Sequence, residues 1–244
     1  MEEEKRCFAA AECAVCILAG GLGSRLREVV SDRQKAVAEV AGEPFVCRIV
    51  RQLSAAGIRR IVFCVGYKAE SVEAVLARRF PGIEISFSCE TTPLGTAGAV
   101  RLALDRGLVA TPRVGVCNGD SWFAADIEAF LRQSSADPAA MLLAEVEDVS
   151  RYGRVVLEPG SCRIREFSEK GGGGPGVINA GIYHFDREFL MASIPAGRPV
   201  SFEHEVFPAL AAGRKLYGYS ARGSFIDIGT PESYHLAQQM FREV

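Results

Sequence analysis

The stretch Ile17–Val37, ILAGGLGSRLREVVSDRQKAV, decides the fold. It begins inside the apolar run Ala14–Leu18, breaks into glycines, and then carries Arg25 and, ten positions on, Lys35. Such a run reads as a strand buried on both faces. A glycine turn directly behind it brings bare backbone N–H groups to where phosphates approach. Two known phosphate loops fail on spacing. The G-x-x-x-x-G-K-[ST] pattern is missing between Gly21 and Lys35. The dinucleotide fingerprint needs a small residue three places after the second glycine of G-x-G, and Leu26 stands there. What remains is a glycine loop that delivers an arginine suited to bidentate phosphate contact and a lysine acting as a point charge. The plainer alternative is a strand-to-helix turn with two solvated cations.

Outward from this stretch, strand and helix patterns alternate. Strands are expected at Ala14–Leu18, Ile61–Val65, Ile83–Ser88 and Arg113–Cys117, with helices at Pro44–Ala56, Ala69–Arg79, Thr96–Leu104 and Asp126–Gln133. Leu53, Ile58 and Ile61 are expected in the core. This alternation predicts an α/β fold: a Rossmann-like three-layer αβα arrangement around a mixed, mostly parallel sheet. After Ala139 shorter strands follow at Met141–Val146, Gly153–Leu157, Ile164–Glu169, Asn179–Phe185 and Leu216–Ser220, with helices at Arg187–Met191 and Phe202–Leu210. This half reads as a partly antiparallel continuation of the same sheet. No linker or repeat divides the chain, so residues 13–244 are expected to form a single domain behind a flexible tail, residues 1–12.

Composition limits the function classes. Apolar residues make up 48% and charged residues 24%, which suits a chain with a sizeable core. The net charge of −2 gives no reason to expect nucleic acid or an acidic membrane as a partner, so any anion site must be local. No apolar run approaches the roughly 18 residues of a membrane span. The acidic start, MEEEKRCFAAAEC, lacks the apolar core of a signal peptide, so a cytoplasmic protein is expected. Cys13 and Cys16 form a C-x-x-C pair with no second pair or nearby histidine, and are expected to pack as small hydrophobes.

Two acids add chemistry to the cationic loop. Asp120 ends the strand of VGVCNGDSWF, at the carboxyl edge where open α/β sheets bind ligands. Asp227 stands between Ile226 and Ile228, where a buried carboxylate needs a partner or a metal. Together they are candidates to hold Mg²⁺, with nucleotide phosphates in its other positions. The alternative is a turn cap at Asp120 and an arginine pair at Asp227.

At these residues the chain resembles the sugar-1-phosphate nucleotidyltransferase family. LAGGLGSRL, Lys35, VAGEPF, ETTPLGTAGA (Glu90–Ala99), NGDS (Asn118–Ser121), Glu169-Lys170, NAGIY (Asn179–Tyr183) and FIDIGTP (Phe225–Pro231) match its blocks in order, from Val15 to about Gln239. PLGTAG is similar to members that use GTP. NGDSWF, DVSRYG (Asp148–Gly153) and SFEHEVFP (Ser201–Pro208) look most like those acting on a heptose 1-phosphate. The resemblance implies transfer of a nucleotidyl, here guanylyl, group to a sugar 1-phosphate with release of pyrophosphate. It implies Arg25, Lys35 and Asp120 as catalytic residues, with Asp120 and Asp227 on Mg²⁺. The nucleotide would lie against Leu18, Ala19, Gly20, Gly21, Gly23, Ser24, Glu90, Pro93, Gly95, Thr96 and Gly119. Glu169, Lys170 and Asn179 would hold the sugar phosphate. A homodimer is also implied. Mannose or glucose 1-phosphate with another base, or a non-catalytic nucleotide-sugar-binding regulator, are the alternative readings.

One departure stands out. The family lysine is usually flanked by prolines, and here reads Gln34-Lys35-Ala36, which is expected to loosen its presentation. Elsewhere plainer roles are expected: a flap or turn for Gly171–Gly174, structural roles for His184 and His204, and core filling for Trp122 and Phe123.

Overall fold

The structure, a computed structural model, describes residues 10–21, 23, 26, 34–66, 68–168 and 172–242. The chain runs from β1 (Cys13–Ala19) through the hairpin β2 (Glu39–Val40) and β3 (Glu43–Pro44) into α1 (Phe45–Ala55). β4 (Arg60–Val65), α2 (Ala69–Leu76), β5 (Glu84–Cys89), α3 (Gly95–Asp105) and β6 (Arg113–Asn118) complete the alternating half. β7 (Ser121–Phe123) and α4 (Ile127–Gln133) lead to β8 (Ala139–Val146), β9 (Arg154–Leu157), β10 (Ile164–Ser168) and β11 (Gly176–Asp186). α5 (Arg187–Ser193), a π-turn (Phe202–Val206), α6 (Phe207–Ala212), β12 (Tyr217–Ala221), β13 (Phe225–Asp227) and α7 (Pro231–Met240) follow.

One mixed sheet carries the fold. β5, β4, β1 and β6 pair in parallel, and β11 joins β6 antiparallel. β11 carries β9 and β10 beyond it on one side, while on the other β8 pairs with it antiparallel and with β12 in parallel. Strand periodicity divides the interior into two cores. Val15, Ile17 and Ala19 of β1 point with Ile61, Phe63 and Val65 of β4 into a layer under α1, α2, α4 and α7. Ala14, Cys16, Val62 and Cys64 point the other way, against α3, α5 and α6. Successive strand side chains alternate faces, so a strand covered on both sides must be apolar throughout. The expected three-layer αβα fold is therefore observed. The same alternation puts Cys13 and Cys16 in different cores, so they share no site. Burial pushes the Cys13 thiol up to about 12.

Several boundaries differ from the pattern reading. α2 ends at Leu76, three residues before the expected Arg79, and Arg78 takes a left-handed conformation. The expected helix Phe202–Leu210 is a π-turn followed by α6, with Pro208 at the start of α6, where its missing N–H costs nothing. Ala10–Glu12, part of the expected tail, form a 3-10 turn, and residues 1–9 lie outside the described residues. Phe123 is fully buried and Trp122 packs edge-on against Phe241, so both fill core. Among the described residues no helix is long and apolar enough to cross a membrane.

His184 is fully buried on β11. Arg113 Nε donates to its Nε2 at 3.3 Å, and its Nδ1 lies 2.8 Å from Ser134 Oγ, which donates to Phe130 O at 2.7 Å. That donor order assigns the neutral Nδ1–H form, and burial, aided by the Arg113 charge, holds its pKa well below the usual value. The unfolded chain takes up this proton near pH 6.5 and the folded one does not. Stability is therefore complete above pH 6.5 and falls as the pH drops below it. In urea titrations from pH 7 to 5, His184→Gln is expected to show a flatter acid limb than the parent. Equal slopes would overturn this.

Candidate active site

At the carboxyl ends of β1, β4, β5 and β6 lies a cleft of about 750 Å³. Leu18, Gly20, Gly21, Gly23, Lys35, Glu90, Pro93, Gly95, Thr96, Gly119 and Asp120 line it, so most of the residues expected to act together share one hollow. Ala19 is buried at the end of β1 and does not line it. Ser24, Arg25, Glu169 and Lys170 lie outside the described residues. Lys35 Nζ stands 2.5 Å from Asp120 Oδ2, with side-chain exposures of 14% and 36%. Burial pushes the Asp120 carboxyl up, but the Lys35 charge and hydrogen bonds from Lys35 and Ser121 outweigh it and hold the group below its ordinary value.

Charge in the cleft is uneven. Among the described lining residues, Lys35 is the one cation, against the carboxylates of Glu90, Asp120 and Glu203. Glu203, missed in the sequence, sits in the π-turn, where Thr96 Oγ1 and Ser201 Oγ donate to its Oε2 at 2.8 and 2.9 Å. The available signal was SFEHEVFP itself, which was read for its resemblance and for His204 rather than for Glu203. Glu90 follows β5. Its Oε2 accepts from Leu94 N at 3.0 Å, and burial raises its pKa against that hydrogen bond. Its Oε1 lies over Gly20 and Gly66, where an added β-carbon would come within 3.0 and 2.9 Å. Gly95 opens α3 at φ +74°, with Val200 O 2.5 Å from where its β-carbon would stand. Only glycine lets that loop pass so close to the chain before the π-turn.

Around Lys35, side-chain hydrogen bonds stand where the family's prolines are absent. Gln34 is 3% exposed, and its side-chain Nε2 donates to Ala19 O at 2.7 Å while its Oε1 accepts from Ala36 N. Lys35–Val37 form a 3-10 turn that Gln34 caps. Gln34 thus ties this segment to the end of β1.

Asp227 lies beside Asp120 through the backbone. β13 pairs antiparallel with β7 in a register that sets Asp227 against Ser121, and Ile228 N donates to Asp120 O at 2.9 Å. Its carboxylate is engaged by protein donors: Gly229 N at 2.6 Å and Ser233 Oγ at 3.1 Å on Oδ1, Tyr152 Oη at 3.0 Å and Arg151 Nη2 at 3.5 Å on Oδ2. It does not line the cleft, but Gly229 does. A β-carbon on Gly229 would lie 2.6 Å from Asp227 Oδ1 and 3.5 Å from Lys35 Nζ, so the two flank the same glycine. Asn179 also lies off the cleft lining. Its side chain donates to Tyr183 Oη at 2.8 Å and accepts from Gly181 N at 2.9 Å, holding the irregularity of β11. Gly174 N donates to Asp148 Oδ1 at 3.1 Å, so this part of the Gly171–Gly174 run closes a turn before β11. His204 is exposed on the π-turn.

The family model of the nucleotidyl transferases matches residues 14–243. The chain is 34% identical over 225 residues to D-glycero-α-D-manno-heptose 1-phosphate guanylyltransferase of Aneurinibacillus thermoaerophilus, covering 91% of this chain and 96% of that one. It is also 34% identical to mannose-1-phosphate guanyltransferase of Yarrowia lipolytica, over 89% of this chain but 61% of that longer relative. HddC from Yersinia pseudotuberculosis, solved in complex with GMP-PN, superposes with a TM-score of 0.82 at 31% identity, covering 93% of this chain and 99% of its own. The matched span takes in the glycine loop, Asp120 and Asp227 alike, and the chain therefore belongs to the nucleotidyl transferase family.

Proposed function

We propose that this nucleotidyltransferase moves a guanylyl group from GTP to a sugar 1-phosphate, with D-glycero-α-D-manno-heptose 1-phosphate as the acceptor. The observation that carries the reading is the Lys35–Asp120 pair, set in a cleft at the carboxyl edge of the parallel strands. The sugar phosphate is already an anionic nucleophile. One of its oxygens attacks the α-phosphorus of the triphosphate in line, and the bond to the β-phosphate breaks to release pyrophosphate. Such a reaction needs positioning and charge neutralisation more than covalent help. Lys35 and Arg25 would hold the triphosphate and its leaving group. Lys170 would hold the acceptor's phosphate and Glu169 a sugar hydroxyl, whereas Asn179, its amide taken up by Tyr183 and Gly181, is left out of that role.

A hard cation suits this donor set. The described lining is acidic in balance; Asp120 offers an oxygen donor facing the cleft, and Asp227, on adjoining backbone, would have to exchange the Tyr152 and Arg151 donors on its Oδ2 for the ion. Mg²⁺ is commonly bound by one or two carboxylates, with substrate phosphates and water completing its shell. Asp120 and Asp227 would hold it, and when bound it would neutralise phosphate charge. A homodimer is expected as well, and sedimentation equilibrium of the purified chain checks it.

Glu90 supports guanine. Guanine presents its N1–H and exocyclic amino group as adjacent donors on one edge, which a carboxylate accepts in a charge-assisted pair. Glu90→Gln is expected to lower kcat/KM for GTP by about 10- to 100-fold relative to other triphosphates. An unchanged ratio would remove Glu90 from base selection. For the reaction itself, the protein is incubated with each NTP, Mg²⁺ and a panel of sugar 1-phosphates, and pyrophosphate is measured. GTP with the heptose 1-phosphate is expected to be fastest. No release with any pair would favour a nucleotide-sugar-binding regulator.

A further inference from the structure

Gln34 combines three properties. It is nearly fully buried, both ends of its amide are engaged, and it immediately precedes the cleft-lining lysine. Nε2 donates to the carbonyl of Ala19, the last residue of β1, at 2.7 Å, with the carbonyl of Gly21 at 3.5 Å. Oε1 accepts from the N–H of Ala36, itself 2% exposed. A proline at 36 would bring no N–H, whereas alanine brings one that must be satisfied once buried. The backbone of Gln34 is extended (φ −68°, ψ 142°), and the turn closes behind it through Val37 N to Gln34 O and Ala38 N to Lys35 O, at 3.1 and 3.0 Å. A single side chain thus clamps the end of the central strand to the turn that carries Lys35.

We infer that Gln34 is a positioning residue for the transfer reaction, holding the Lys35 ammonium at the cleft through this two-sided clamp. The inference rests on the role proposed for Lys35. A buried amide is well suited to the task because it gives and accepts at once. A carboxylate at 34 keeps the bond to Ala36 N but turns a lone pair toward the Ala19 carbonyl. A methionine fills the same volume and makes neither bond.

The test uses the full chain with GTP, Mg²⁺ and the best sugar 1-phosphate, and compares Gln34→Met, Gln34→Glu and Lys35→Ala. Gln34→Met is expected to lose roughly 10- to 100-fold in kcat, because small misplacements of a catalytic group are costly, while KM for GTP moves less than about threefold. In Gln34→Glu a second signature follows. Burial raises a carboxyl's pKa, and once protonated the group donates to Ala19 O again. The rate of Gln34→Glu relative to the parent is therefore expected to rise at least about fivefold from pH 8.5 to pH 6. A volume-filling role would leave that ratio flat. Should Gln34→Met fail to fold, the ratio decides alone. A flat ratio, or kcat of Gln34→Met within about twofold of the parent, with Lys35→Ala inactive, overturns the clamp and leaves the Lys35 assignment standing. Near-parental turnover in Lys35→Ala overturns both.

Discussion

Asp120→Asn is expected to lower turnover by about a thousandfold or more, which corresponds to roughly 4 kcal/mol in the barrier. The substitution keeps shape and removes charge. Asp120 faces the cleft from the end of β6, and its ionised form is held by Lys35 at 2.5 Å and by Ser121 Oγ at 3.2 Å on its other oxygen. The backbone bond from Ile228 N to Asp120 O does not involve the side chain, so β13 stays paired to β7 and the fold is retained. Charge neutralisation at a transferring phosphoryl group is the larger share of catalysis in this chemistry, and losing one preorganised charge typically costs two to three orders of magnitude. Lys35→Ala is expected to fall as far, because it removes the one cation among the described lining residues. Single-turnover pyrophosphate release, with circular dichroism as the fold control, measures both. Near-normal turnover in the two variants would refute the roles assigned here.

Phe202→Ala is expected to destabilise the protein by about 3–5 kcal/mol, against a total that for most domains is only about 5–15 kcal/mol. Phe202 is fully buried and stacks on Phe185 and Phe207 at ring-centroid distances of 5.8 and 5.2 Å, with Tyr183 at 5.9 Å. Truncation opens a cavity in a cluster that joins β11 to α6, where the rings of Tyr183, Phe185 and Phe207 pack around it and limit relaxation. Its N–H also donates to Thr96 Oγ1 at 2.8 Å, so the residue couples this core to the lining of the cleft. At roughly 2–4 °C per kcal/mol for a chain of this size, the thermal midpoint should fall by about 6–20 °C. A loss below about 1 kcal/mol in urea unfolding would show that the aromatic cluster is not the keystone its packing implies.

The alternating half of the fold was readable because periodicity there reflects burial directly. Ala14–Leu18 and Ile61–Val65 are apolar throughout, a sign of strands covered on both faces, and the structure buries all of them but Leu18, which opens onto the cleft. α7 was not anticipated. Thr230 caps it and Pro231 opens it, the usual start signals, but its apolar face is thin, since Ser233 and Ala237 are its buried residues. β7 and β13 are three residues each, too short for any period to register. The register between them brings Asp227 beside Asp120 across more than a hundred residues, and no local pattern encodes such a pairing.

The same division runs through the site. The glycine loop, Lys35 and Asp120 stood out in the sequence because backbone access and charge at a strand end are local properties, while Glu90 came only through the family resemblance. The clamp by Gln34, the anchoring of Glu203 by Thr96, and the donors around Asp227 depend on which distant groups meet a side chain. Chain order thus determined the layers, the edge of the sheet that binds and the kinds of residue offered there. Tertiary structure alone decided which of those residues face the hollow and which are held by neighbours, because hydrogen-bond satisfaction in a packed interior is settled by partners far along the chain.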